Sequence, residues 1–141
     1  KYKATVLAGT TGDGIIMAEE IGADLVHMEY IQTYPTCNPK TGIISYVANS
    51  RFDGAILLNQ EGVRFVEEMD RRDVISEAIL SQTNQESYLV WGQEVEEVGH
   101  MTEIHKDEYN VFENMDLLYK ADTLEELAEM IGVDADSLWK N

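Results

Sequence analysis

The sequence has little cysteine and lacks any long apolar run. Cys37 is the only cysteine, which excludes both an internal disulfide and a metal site built from several cysteines. A membrane-spanning helix needs about 20 consecutive apolar residues, and no such run occurs. A disulfide-stapled scaffold and a helical membrane span are therefore not expected.

Positive charge is also scarce, with 10 basic against 27 acidic residues and a net charge of −17. Such a surface repels phosphate backbones and anionic lipids, so we expect neither nucleic-acid binding nor membrane contact. The acids are spread along the chain, which is typical of a solvated exterior. An anionic substrate would need local positive charge, and the candidates are Arg51, Arg64, Arg71 and Arg72.

What the chain does contain is enough apolar residues for one core. They make up 44% of its 141 residues, and a domain of this size buries about 70% of its unfolded surface. The order of helix and strand signals predicts an α+β fold, a small mixed β-sheet with packed helices, in a single domain over residues 1–141. No internal repeat or linker divides it.

Turn residues and apolar periodicity give the predicted elements. The first helix begins near Thr11 and ends at Gly22 in the C′ position. It is followed by extended chain over 23–32 and by strands over 55–59, 63–67 and 87–91. Two further helices are predicted, over 73–80 and from 122 to Gly132. The charged stretch 92–120 has no clear assignment.

Several short motifs follow one another along most of the chain. They are Thr11-Gly12-Asp13-Gly14, Met28-Glu29-Tyr30-Ile31-Gln32 with Pro35-Thr36, Gly54-Ala55-Ile56-Leu57-Leu58-Asn59, Glu61-Gly62-Val63-Arg64-Phe65-Val66-Glu67-Glu68, Arg72-Asp73, and Ala121-Asp122-Thr123-Leu124-Glu125-Glu126-Leu127-Ala128. In this order and spacing the chain resembles the FAD-dependent fumarate reductase family, which includes flavocytochrome c-type fumarate reductases and urocanate reductases.

The resemblance implies a substrate-closing (cap) domain of the kind inserted between the two halves of an FAD domain, with residues 1–30 bordering that domain. No G-x-G-x-x-G motif occurs, so we assign no cofactor-binding residue here. FAD is expected on the missing domain of the same polypeptide, with FMN or heme possible elsewhere in the parent. The start without Met fits an excised piece, which we expect to be inactive alone.

The resemblance assigns catalysis to Arg72, as the acid that protonates a C=C bond, and to Arg51, as a relay arginine. A guanidinium stays protonated in almost any protein. It can act as an acid only in a closed, dry site that a relay reprotonates. The alternatives are a surface ion pair of Arg72 with Asp70 or Asp73, and an exposed loop-end charge at Arg51.

The relay departs from the family pattern three residues before Arg51, where Ala48 stands in place of a glutamate. The adjacent Asn49 cannot carry a proton as a carboxylate does. Asp53, a substrate group or water would have to substitute.

The remaining site residues concern the substrate. Tyr34 stands at a position where fumarate reductases of the family carry His and urocanate reductases carry Tyr. The resemblance therefore implies urocanate or a related enoate as substrate instead of fumarate. We expect substrate contacts from Tyr34 and Asn49, and from Thr11, Gly12 and Asp13 at a helix N-terminus. The alternative for Tyr34 is a structural loop tyrosine.

Three functions remain open from the sequence. The first is the cap of a flavin-dependent reductase of an unsaturated carboxylate such as urocanate, and the second is the cap of a fumarate reductase. The third is an acidic binding module with the same fold and no chemistry. His27, His100 and His105 have no metal-ligand spacing.

Overall fold

The computed structural model describes residues 3–140, so the outermost ends of the predicted domain, Lys1, Tyr2 and Asn141, lie outside the described residues. The elements are α1 (Asp13–Glu20), β1 (Ile56–Leu58), α2 (Arg72–Leu80), β2 (Tyr88–Val90), α3 (Gln93–Val98), α4 (Lys106–Asn114), α5 (Leu124–Ile131) and α6 (Ala135–Leu138). Two 3-10 helices, Val47–Asp53 and Thr83–Gln85, lie between them. This is a small α+β arrangement, as predicted.

The sheet consists of β1 and β2 in antiparallel pairing. Side chains alternate between the two faces of a strand, and both faces here are covered. Leu57 packs against Ile75 and Ile79 of α2 on one side. Leu58 packs against Ala128 of α5 and against α6 on the other. The mixed sheet expected from the sequence is therefore, within residues 3–140, an antiparallel pair between two layers of helices.

The strand predicted over 63–67 is wrong. Only an isolated bridge between Leu58 and Arg64 continues β1 on that side. The reason is that the main-chain N–H of Leu57 donates to the carboxylate of Glu68 at 2.8 Å. This side-chain acceptor takes the place that the carbonyl of a partner strand would need.

The stretch without a prediction, 92–120, contains α3 and α4. Tyr109 and Phe112 are three residues apart and so lie on one face of α4. They form a buried cluster with Met101 and with Val47 and Ala48 of the first 3-10 helix. This cluster fixes the segment that precedes Arg51.

Residues 3–32, called the N-terminal arm below, lie almost wholly on the surface. No residue of α1 is buried, and Leu7 and Ile21 are 83% and 88% exposed. Gly22 has φ 89° after the helix, as the C′ prediction requires. The extended chain predicted over 23–32 forms no strand and is interrupted by a turn at His27, which has φ 57°.

Candidate functional site

The candidate site lies where the end of the N-terminal arm and the residues just after it meet the first turn of α2. Arg72 is the first residue of α2. Its Nη1 donates to Oε1 of Gln32 at 3.1 Å. Its Cζ lies 5.1 Å from the centroid of the Tyr34 ring, which is cation–π distance. Two contacts to residues some 40 positions earlier therefore hold this exposed guanidinium.

Arg72 has no carboxylate partner in the part of the chain that the structure describes. Its neighbour Arg71 pairs with Asp73 at 2.6 Å instead, and that hydrogen bond holds the pKa of Asp73 below its usual value. Asp70 accepts from the main-chain N–H of Arg71. The surface ion pair considered for Arg72 is therefore absent, and its charge is not neutralised locally.

The side chains of Tyr34 and Asn49 are hydrogen-bonded to each other. The Tyr34 hydroxyl donates to Oδ1 of Asn49 at 2.6 Å, and Thr36 Oγ1 donates to the same oxygen at 3.3 Å. Nδ2 of Asn49 donates to the main-chain oxygen of Ser45 at 2.8 Å. The structure thus brings Arg72, Tyr34 and Asn49 into one connected group.

Arg51 lies in the first 3-10 helix and is only 4% exposed, which excludes the exposed loop-end charge. Its Nη1 donates to the main-chain oxygen of Glu68, and its Cζ lies 4.1 Å from the Phe52 ring centroid. Nε has no hydrogen-bond partner among the described residues. No carboxylate forms an ion pair with Arg51 within residues 3–140. The guanidinium is therefore buried without an ion-pair partner among the described residues.

The carboxylate considered as a substitute near Arg51, that of Asp53, is engaged elsewhere. Asp53 accepts from the Tyr46 hydroxyl at 3.0 Å, and this hydrogen bond raises the pKa of Tyr46. Ala48 is buried in the apolar cluster with Met101 and Phe112. The position at which the resemblance places the relay glutamate thus carries the alanine side chain of Ala48, which cannot transfer a proton.

Glu68 is a residue that the sequence analysis missed. Its carboxylate is buried and accepts from Leu57 N at 2.8 Å and from Arg64 Nε at 3.0 Å. Burial works to raise its pKa, but the hydrogen bonds from Arg64 and Leu57 outweigh burial and leave the pKa below its usual value. The opposite charges of Arg64 and Glu68 were the available signal, but they did not show that Glu68 is buried.

Gln32 and Thr36 were also missed as site residues, although both lie in the quoted motif around Tyr34. Gln32 lines a cleft of about 1440 Å³ that also includes Tyr34, Ala48 and Ser76. It lines as well a smaller depression of about 700 Å³ that includes Arg72. The segment around Gln32 therefore joins the two spaces.

Thr11, Gly12 and Asp13 lie apart from this group. Thr11 Oγ1 donates to Asp13 within the same turn, at 2.5 Å, and Gly12 is the N-cap of α1. Within residues 3–140 no hydrogen bond joins them to Arg72, Tyr34 or Asn49. Their predicted substrate contact stays a prediction.

The described residues do not form a pyrophosphate cradle for FAD. No strand of the described chain leads into α1, and the Asp13 carboxylate in its first turn would repel a phosphate. Within residues 3–140 no group of three or more His, Cys, Asp and Glu residues could hold a metal ion. No helix in that range is long and apolar enough to cross a bilayer.

Comparison with known protein families decides the membership of the chain. The profile described as "FAD binding domain" matches residues 1–130. The chain belongs to the FAD binding domain family. This membership agrees with the resemblance to flavin-dependent reductases seen in the sequence motifs.

Two similar proteins are reductases by name. A urocanate reductase from Eggerthella lenta is 44% identical over 141 residues, which are 99% of this chain and 23% of that protein. A "Fumarate reductase (cytochrome)" from Shewanella frigidimarina is 38% identical over 137 residues, 97% of this chain and 23% of that protein. The chain spans about a quarter of the length of these relatives.

A solved structure has the same fold over nearly the whole chain. It is the open conformation of a flavocytochrome c3 fumarate reductase, with a TM-score of 0.69 at 31% identity. The match covers 99% of this chain and 23% of that one. The small helix-and-sheet fold described above is thus one that a fumarate reductase flavoprotein contains.

Proposed function

We propose that this chain is the cap domain of a flavin-dependent reductase that reduces the C=C bond of an unsaturated carboxylate, with Arg72 as proton donor. The observation that carries the proposal is the state of Arg72. Its guanidinium is held by Gln32 and Tyr34, with no carboxylate partner among residues 3–140, whereas the adjacent Arg71 pairs with Asp73.

In this proposal a flavin, held by residues outside this chain, would supply the hydride for one carbon of the alkene. Arg72 then protonates the neighbouring carbon, where negative charge develops. A cation without a carboxylate partner stabilises that charge better than a cation that is already paired. Closure of the cap over the substrate excludes competing water. The proton moves from the guanidinium to carbon, leaving Arg72 transiently neutral.

Arg51 is the proposed relay that returns the proton to Arg72. Arg51 is buried and forms no ion pair within residues 3–140, so no carboxylate there holds its guanidinium away from a neighbouring group. With Ala48 in the apolar cluster and Asp53 bonded to Tyr46, water or a substrate group completes the path from solvent.

The N-terminal arm is proposed to border the FAD domain of the same polypeptide. Its apolar side chains are exposed in this chain, and α1 buries none of its residues. A contiguous exposed apolar surface marks an interaction site. The rest of the single domain closes on the substrate, and the chain by itself is inactive because the hydride donor is absent.

Urocanate or a related enoate is the proposed substrate. Tyr34 adds no positive charge beside Arg72, so the site favours one carboxylate over two. Fumarate is the second candidate, since fumarate reductases are among the similar proteins.

The test is to replace Arg72 with Lys in the full-length flavin-loaded protein. We expect turnover of the preferred enoate to fall by at least about a hundredfold, because an ammonium cannot keep both the Gln32 and Tyr34 contacts. Flavin content, measured by absorbance, should not change.

The matched control is Arg71→Lys, since Arg71 is adjacent but exposed and paired with Asp73. This variant should keep turnover within about twofold of the parent, as surface ion pairs contribute little. Near-normal turnover of Arg72→Lys would exclude Arg72 as the acid. A full-length protein that binds no flavin would reject the proposed function altogether.

A further inference from the structure

The ring of Phe52 lies against the guanidinium of Arg51. The Arg51 Cζ atom is 4.1 Å from the centroid of the Phe52 ring, which is well within cation–π distance. The two residues are neighbours in the first 3-10 helix, and side chains at neighbouring positions of a helix do not normally face each other. The contact is therefore a specific arrangement of the two side chains and not a simple consequence of their order in the chain.

The exposure of the two residues shows which of them faces the solvent. Arg51 is 4% exposed, whereas Phe52 is 52% exposed. One face of the Phe52 ring is against the guanidinium, and about half of the residue is open to water. The ring is therefore part of the layer that covers the buried cation.

The ring also adds a favourable electrostatic contact to a cation that has few. Nη1 of Arg51 donates to the main-chain oxygen of Glu68, and Nε has no hydrogen-bond partner among the described residues. Within residues 3–140 no carboxylate pairs with Arg51. A buried charge is costly unless other groups compensate it, and the face of an aromatic ring is negative. The Phe52 ring and the Glu68 oxygen thus hold the guanidinium from two directions.

We infer that Phe52 is a positioning residue for the proposed relay, with a ring that holds the Arg51 guanidinium where a carboxylate would otherwise hold it. The inference rests on the proposed function, because Phe52 has this role only if Arg51 returns a proton to Arg72. Ala48 offers Arg51 no charge from the same 3-10 helix. A ring face attracts the cation and, unlike a carboxylate, cannot take its proton. Phe52 therefore orients Arg51 and stays outside the proton path.

Phe52→Leu in the full-length flavin-loaded protein tests the inference, because leucine keeps an apolar cover and removes the ring face. The substrate is whichever of urocanate and fumarate the parent protein reduces faster. We expect kcat to fall by about five- to tenfold. KM should stay within about twofold, since Arg51 is assigned no contact with the substrate. The solvent deuterium isotope effect on kcat should rise, because the return of the proton to Arg72 becomes slower.

Two further variants separate the ring face from general packing. Phe52→Tyr keeps the ring face and should keep kcat within about twofold of the parent. Trp139→Leu is the matched control, since Trp139 is 64% exposed and donates to Glu125, and no cation of residues 3–140 lies over its ring. It should leave both kcat and the isotope effect unchanged.

The outcomes distinguish the inference from the function on which it rests. A parent-like kcat in Phe52→Leu would overturn the inference and leave an enoate reductase. The same holds if Phe52→Tyr is as slow as Phe52→Leu, or if Trp139→Leu loses as much activity. A loss that appears in KM instead of kcat would also overturn it, because a positioning role in the relay does not act on substrate binding. Reduction of neither enoate by the parent would overturn the proposed function and, with it, the inference.

Discussion

At the scale of single residues, Glu68 links more of the chain than any sequence motif indicates. Its carboxylate binds Leu57 of β1 and Arg64, and its main-chain oxygen receives Arg51. The position of the Arg51 guanidinium therefore depends on how firmly Glu68 is held. The Glu68 carboxylate pairs with Arg64, whereas Arg51 contacts Glu68 through the main-chain oxygen.

Replacing Glu68 with Gln should lower the free energy of unfolding by about 1–3 kcal/mol, because the hydrogen bonds from Arg64 lose their charged acceptor. Urea unfolding of this chain measures the effect. Glu67→Gln is the control, since that side chain is exposed and lies 4.0 Å from Arg64. Its effect should stay below about 0.5 kcal/mol. Equal effects of the two variants would contradict the role given to Glu68.

The pH dependence of this contribution has a definite sign. The folded-state pKa of Glu68 lies below its ordinary value of 4.5, so the unfolded chain binds the proton at higher pH than the folded chain. The stabilisation is fully present above about pH 4.5 and is lost as the pH falls through the folded-state pKa. The stability difference between parent and Glu68→Gln should therefore shrink on acidification. A difference that grew at low pH would show that the sign is wrong.

At the scale of elements, the ends of α5 explain why the C-terminal layer was predictable. Thr123 is the N-cap, and its side chain accepts from the N–H of Glu126. Gly132 ends the helix with φ 74°, a conformation that glycine adopts without strain. Both signals are local in sequence, so they did not depend on packing.

Thr123→Ala should destabilise the chain by about 1 kcal/mol, because it leaves the N–H of Glu126 without its side-chain acceptor. Thermal unfolding followed by circular dichroism gives the measurement. Thr102→Ala is a suitable control, since Thr102 is exposed and lies outside the regular helices. If the melting temperature falls equally in both variants, the capping argument does not hold.

The strand predicted over 63–67 failed at this same scale for a different reason. Its residues have strand-forming character, but β1 already has its N–H at Leu57 occupied by Glu68. Strand formation depends on the tertiary context as well as on residue propensity. A carboxylate from a later turn could not be recognised as that partner from the order of residues.

At the scale of the whole molecule, the chain divides into a packed body and the N-terminal arm. Three clusters of buried apolar residues hold the body together, whereas α1 buries nothing. A helix of eight residues is marginal in water without tertiary contacts. We therefore expect the arm to pack on a surface that lies outside this chain.

Hydrogen exchange followed by mass spectrometry tests this division. In this chain alone, the amides of α1 should exchange far faster than those of α2 or α4, because local opening there needs little free energy. In the full-length protein α1 should become protected by docking on the FAD domain. Strong protection of α1 in the chain alone, or none in the full-length protein, would contradict the proposed border.

The order of residues was enough to predict the α+β class and the helix stops at Gly22 and Gly132, since these depend on local patterns, and the motifs were enough for the family resemblance. Packing was needed to show that Arg71 and not Arg72 pairs with Asp73, that Arg51 is buried, and that the Tyr34 hydroxyl donates to Asn49. Each of these depends on distances between side-chain atoms and on competition for one partner. Residue order does not encode such competition, because it is settled only when distant segments pack together.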